Sequence, residues 1–177
     1  DRRLFGDVRV RTAACNDHIF VLQLEDGRTG AAMHFASGST SDPWEQWEKS
    51  LEGMRARDLL VHLGGSHPLR ASAGVACANA LAAAFPGPRA GHMLDVMELR
   101  EDDVFGMVGN FMLLVDRIRN RVRKLLIFET IEQPTEDGFL PARDESRLLP
   151  ECSVVLVTGT TLVNGMLEEL LSWCRQA

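Results

Sequence analysis

Three short, nearly continuous apolar runs most constrain what this chain can fold into: residues 104–108 (VFGMV), 124–128 (KLLIF) and 153–157 (SVVLV). None alternates apolar with polar residues, so each reads as a strand buried on both faces. Helical stretches follow them: residues 111–119, then 144–149 beyond a loop holding Pro134, Gly138 and Pro141, then 162–174. Buried strands alternating with helices predict an α/β unit, a small parallel sheet with helices on both faces.

The residues before it keep a different rhythm. Residues 8–12 and 18–24 and 29–35 read as three antiparallel strands, with Asp26-Gly27 as the tight turn between the last two. Residues 37–43 form a loop by composition, with Asp42 placed to cap a helix that begins at Pro43 and carries Trp44, Trp47 and Leu51. Gly53 ends that helix, and 58–63 reads as a second short one. Pro68 opens a helix rich in Ala and Gly to residue 85, small enough on its surface for another backbone to approach closely. Pro86-Gly87-Pro88 breaks the chain, giving an α+β domain over 1–88 and an α/β domain over 89–177.

Charge and composition exclude several classes. Residues 1–90 carry 10 basic and 10 acidic side chains, and residues 91–177 carry 9 and 15, a net −6 overall. Nucleic-acid surfaces need a basic excess, so no nucleic-acid partner is expected. No apolar stretch approaches the roughly 18 residues of a membrane span, and DRRLFGDVRV lacks the apolar core of a signal peptide. The missing initial Met predicts upstream trimming. Cys15, Cys77, Cys152 and Cys174 show no C-x-x-C spacing and read as reduced side chains of a cytoplasmic protein.

Ligands of parallel sheets bind beyond the carboxyl ends of the strands. Three candidate segments fall there. Gly106, Gly109 and Asn110 close the first run, where glycine admits a ligand to the backbone or simply makes a tight turn. Glu129 closes the second run, 20 residues after Gly109, as a ribose acid or as a solvated carboxylate. Thr158, Gly159, Thr160, Thr161 and Asn164 follow the third run, and capping one helix needs a single threonine of that set. The excess points to a bound carboxylate or phosphate. In the first domain His67 and Asn79 are candidate substrate contacts, and His67 is the one candidate metal ligand. His18 and His34 read as surface or satisfied core positions. There is no G-x-S-x-G, no Walker lysine loop, no H-E-x-x-H and no Tyr.

The segments SHPLRASAGVACANALAA (66–83), VFGMVGNF (104–111), LLIFE (125–129) and VVLVTGTTLVNGMLEELL (154–171) resemble the putative heavy-metal-chelation family. The resemblance implies an enolase N-terminal-like domain followed by a Rossmann-like domain, with a small-molecule site in a cleft between them. It implies a role in handling heavy metals or making a metal cofactor, with a small anionic molecule or metal chelate as ligand. A divalent metal is the cofactor class it leaves open, while Gly106, Gly109 and Glu129 motivate an adenosine-containing cofactor such as a nucleotide or S-adenosylmethionine. An enzyme and a non-catalytic interaction subunit are the rival readings. Members continue past the TLVNG helix with further strands, so this chain reads as C-terminally short. A sheet of three strands has an unprotected edge, which predicts a homo-oligomer or another partner covering it.

Overall fold

The computed structural model describes residues 7–34, 44–85 and 91–174, with the backbone alone at 44–46 and 48. The expected loop at 37–43 with its Asp42 cap, and the Pro86-Gly87-Pro88 break, lie outside the described residues. The chain divides into two compact units. One takes the described residues through Phe85 together with Gly159–Met166; the other takes those from Gly91 through Thr158 together with Leu167 onward.

The first unit begins with the expected meander. β1 (Val10–Cys15), β2 (Ile19–Leu24) and β3 (Thr29–Met33) pair antiparallel in that order. Period-two alternation puts Phe20, Leu22 and Leu24 wholly inside, while Ile19 at the strand start faces out. Helix α1 (Trp44–Leu51) contributes Leu51 to this core, and its Trp47 ring tilts against Phe20 at 6.4 Å. The next helical segment is shorter and earlier than its composition predicts: α2 (Ala56–Leu59) runs into a 3-10 turn at Leu60–His62.

Helix α3 (Pro68–Ala82) crosses β3, and its small residues let the two backbones nearly touch. A Cβ built on Gly30 of β3 would stand 2.0 Å from the Ala76 carbonyl oxygen and 2.5 Å from the Ala80 nitrogen. Two side chains tie the contact: Asn79 donates its amide to the Ala31 carbonyl at 2.8 Å, and the Ser72 hydroxyl lies 2.8 Å from the Met33 carbonyl. The unit's core is therefore one sheet face filled by Ala73, Ala76, Cys77, Ala80 and Leu81.

In the second unit, α4 (Met93–Val96) is a single turn that the sequence reading did not anticipate. The His92 imidazole accepts from the Leu94 N–H at 3.2 Å and caps it. β4 (Val104–Val108), β5 (Lys124–Glu129), β6 (Phe139–Pro141) and β7 (Val154–Val157) form one parallel sheet ordered β6-β5-β4-β7. The sheet thus has four strands where three are expected. β6 hides in sequence because it has three residues and ends on Pro141, which only an edge strand tolerates. Helix α5 (Met112–Arg119) buries Val115 and Ile118 on one face, with Phe105, Met107 and Ile127. On the other face α6 (Glu145–Leu148) leads into a 3-10 turn at Leu149–Glu151.

The long helix expected over 162–174 is two. α7 (Thr161–Asn164) ends at Gly165, whose φ of +77° is left-handed, and α8 (Leu167–Cys174) starts afresh. Only glycine adopts that backbone without strain, and it is the usual residue just past a helix end. α7 packs in the first unit, where Val163 joins Ala71 and Val75 of α3.

Candidate functional site

The parallel sheet sets three of the candidate segments side by side. Register pairs Val108 with Phe128 on one side and with Val157 on the other. The next residues are Gly109, Glu129 and Thr158, so all three stand at the carboxyl ends of adjacent strands. The Gly109 N–H donates to the Phe128 carbonyl at 3.0 Å, and the Thr158 N–H to the Val108 carbonyl at 3.0 Å. Gly109 has φ of +91°, and a Cβ there would lie 3.0 Å from Thr158 Cβ. A left-handed residue is thus required where β4 turns toward α5. Asn110 follows it and is exposed; Glu129 is half-buried and accepts from the Thr130 N–H at 3.3 Å. The carboxyl ends of three neighbouring strands therefore carry Gly109, Glu129 and Thr158, with Asn110 one residue beyond Gly109.

Gly106 corrects the expectation. It lies buried in the middle of β4, where a Cβ would meet Cys152 Sγ at 3.0 Å and a Leu149 methyl at 3.1 Å. Its small size serves helix-side packing, away from the strand end.

The turn after β7 is also less open to an anion than its composition predicts. The Leu162 N–H donates to the Gly159 carbonyl, and the Val163 and Asn164 N–H groups to that of Thr160. Those donors are spent inside the turn. Thr161 is buried, Gly159 is exposed, and the Asn164 side chain accepts from the Met166 N–H at 3.1 Å. Asn79 of α3 has its amide committed to β3, which gives it a structural task.

His67 stands at the N-cap of α3 without capping it. Its Nδ1 is buried, and so is that of His34, which follows β3; among the described residues no hydrogen-bond partner reaches either atom. His34 is therefore not the satisfied position its sequence context suggests. Burial holds the His34 imidazole below the ordinary histidine range, with Asp17 opposing and His67 reinforcing the shift. His62 is lowered likewise by burial, with Arg70 and His67 adding to it.

Two of the four cysteines are buried, Cys77 and Cys152. Burial pushes the Cys77 and Cys152 thiols up to about 11, and the thiols point at the Ala56 and Leu148 carbonyls. Among the described residues no three of His, Cys, Asp and Glu gather closely enough to hold a metal ion. A groove of about 460 Å³ opens beside β6, lined by Met112, Asp116 and Arg119 of α5 with Glu136 and Asp137; it includes none of the strand-end residues. No described helix is long and apolar enough to cross a membrane.

Residues 2–82 match the family model DUF4213 and residues 92–177 match DUF364, both described as "Putative heavy-metal chelation". An uncharacterized protein of Methanocaldococcus jannaschii is 33% identical over 82 residues, which are 45% of this chain and 32% of that protein. The chain thus spans about a third of that curated relative. Two crystal structures of DUF364 proteins with unknown function share the fold. The one from Desulfitobacterium hafniense gives a TM-score of 0.77 at 23% identity, over 97% of this chain and 68% of that one. The one from Pyrococcus horikoshii gives 0.74 at 15% identity, over 99% and 71%. With one model on each half, in this order and under one description, the chain belongs to the family described as "Putative heavy-metal chelation".

Proposed function

We propose that this chain binds a small anionic molecule or a metal chelate, in the service of heavy-metal chelation or metal-cofactor metabolism. The observation that carries the reading is the alignment of Gly109, Glu129 and Thr158 at the carboxyl ends of β4, β5 and β7, with Asn110 the residue after Gly109. An amide and a hydroxyl donate to carboxylate or phosphate oxygens, and the Glu129 carboxylate accepts from a ligand hydroxyl. Gly109 keeps the surface between them free of a side chain.

The family's metal fits some donors of this chain and not others. The buried, high-pKa thiols do not form a thiolate cage, and no three-ligand group exists among the described residues. The orphaned imidazole nitrogens of His34 and His67 do suit a borderline divalent cation. Few protein donors favour a metal that arrives with its own chelator, whose atoms fill the remaining coordination positions. When bound, such a metal would supply positive charge to hold an anionic chelator. A second reading keeps Glu129 beside Gly109 as a ribose contact for an adenosine cofactor.

Native mass spectrometry of the protein as purified tests the first reading, followed by Asn110→Ala, Glu129→Gln and Thr158→Val. A bound small molecule lost in these variants is the expected result. Retention of the same mass in all three overturns the strand-end site. Calorimetric titration with S-adenosylmethionine and with ATP separates the second reading: binding abolished by Glu129→Gln would favour it.

A further inference from the structure

We propose that His34 and His67 together ligate a divalent cation of the zinc, cobalt, nickel and copper class through their Nδ1 atoms. The proposal goes beyond the strand-end site and does not depend on it, since both histidines belong to the first unit. Sequence separates them by 33 positions, and the fold brings their neighbourhoods together. One hydroxyl, Ser72 Oγ, lies 2.8 Å from the Met33 carbonyl oxygen and 2.9 Å from that of Pro68. His34 is the residue after Met33, and His67 is the residue before Pro68. The end of β3 and the start of α3 are thereby clamped at the points where the two imidazoles leave the backbone. His34 is clamped a second time, its N–H donating to the His18 carbonyl at 2.7 Å.

Both Nδ1 atoms are shut from solvent and meet no donor or acceptor among the described residues. A buried polar atom left unpaired in a native fold calls for an occupant, an ion or a water. Two orphaned nitrogens of the same kind, on segments that the Ser72 hydroxyl holds together, point to one shared occupant. Imidazole nitrogen selects borderline cations over calcium or magnesium, which take oxygen. With two protein ligands the site leaves positions open for water or for donors of a small chelator.

The test titrates Co²⁺, Zn²⁺, Ni²⁺ and Cu²⁺ into the full, metal-stripped chain by calorimetry, with Co²⁺ also followed by visible absorption. One cation per chain is expected, weakened at least tenfold by His34→Gln or His67→Gln. His92→Gln, in the other unit, should leave affinity within twofold. A measurement on the unaltered protein guards against misfolded variants: long-range ¹H–¹⁵N spectra should show Zn²⁺ shifting Nδ1 of His34 and His67 before any other imidazole. No binding at millimolar metal, undiminished binding in the double variant, or shifts confined to other histidines would each overturn the proposal. The first of these would assign the two nitrogens to ordered water.

Discussion

Glu145 offers a sharp test of how this chain's charges relate to its stability. It opens α6 and is only 6% exposed. Burial raises its carboxyl to about 7 from an ordinary 4.5, and like-charge repulsion from Glu169 adds to the rise. A carboxyl raised in the folded state binds a proton there that the unfolded chain has already released. Between about pH 4.5 and pH 7 the folded state therefore holds more protons, and stability falls as pH rises. Below that window both states are protonated and there is no cost; above it the cost is complete. At 1.36 kcal/mol per unit the full penalty is on the order of 3 kcal/mol, a large share of a typical folding free energy. Glu145→Gln removes the charge and keeps the shape, although its amide also needs hydrogen bonds. Urea melts from pH 4.5 to pH 8.5 should show the variant level with the parent at the acid end and about 2 kcal/mol more stable at pH 8. Glu169→Gln should recover a smaller part of that gain, because it removes the repulsion and leaves the burial. A difference between Glu145→Gln and the parent that does not change with pH, or a variant less stable at pH 8, would refute the reasoning.

Two further outcomes follow from packing. Gly30→Ala must drive α3 off β3, because the new Cβ would press on backbone atoms of Ala76 and Ala80 that no rotamer change can move; a loss of about 3 kcal/mol or more is expected in urea melts. Gly159→Ala, which meets open space, should stay within about 0.5 kcal/mol. Cys77 and Cys152, buried and with thiols at about 11, should resist iodoacetamide at pH 8 while Cys15, more exposed, reacts. Peptide mapping that finds the two buried thiols alkylated as fast as Cys15 in folded protein would contradict both their burial and their raised pKa.

The fold was legible where one local pattern dominates. The meander showed because Asp26-Gly27 marks a tight turn between two strand-like runs, and β4, β5 and β7 because runs such as Val104–Val108 have no polar face at all. Legibility failed where short elements depend on their neighbours. β6 is a strand only because β5 offers it an edge, and its Phe-Leu-Pro carries no period. The 162–174 stretch reads as one helix for a different reason: its apolar spacing continues through Gly165, and only the left-handed backbone there reveals two helices.

The candidate residues divide along the same line. Gly109, Glu129 and Thr158 could be placed from sequence, since parallel strands of known ends must align their carboxyl termini, and the register then does so. Gly106 sits three residues from Gly109 in the same motif, yet it is filled in by Cys152 from beyond the next helix, a neighbour no local pattern reveals. His34 is the converse. On a strand it looks like any surface imidazole, and what marks it is an absence of partners that only the assembled β3–α3 contact creates. Chemistry carried by one strand end can be inferred from spacing. Chemistry that needs two segments clamped by a third side chain, as Ser72 clamps Met33 and Pro68, becomes visible only when the backbone is in place. Because this family is described as "Putative heavy-metal chelation" and the Cys77 and Cys152 thiols here are buried with raised pKa, the donors worth testing are of that second kind.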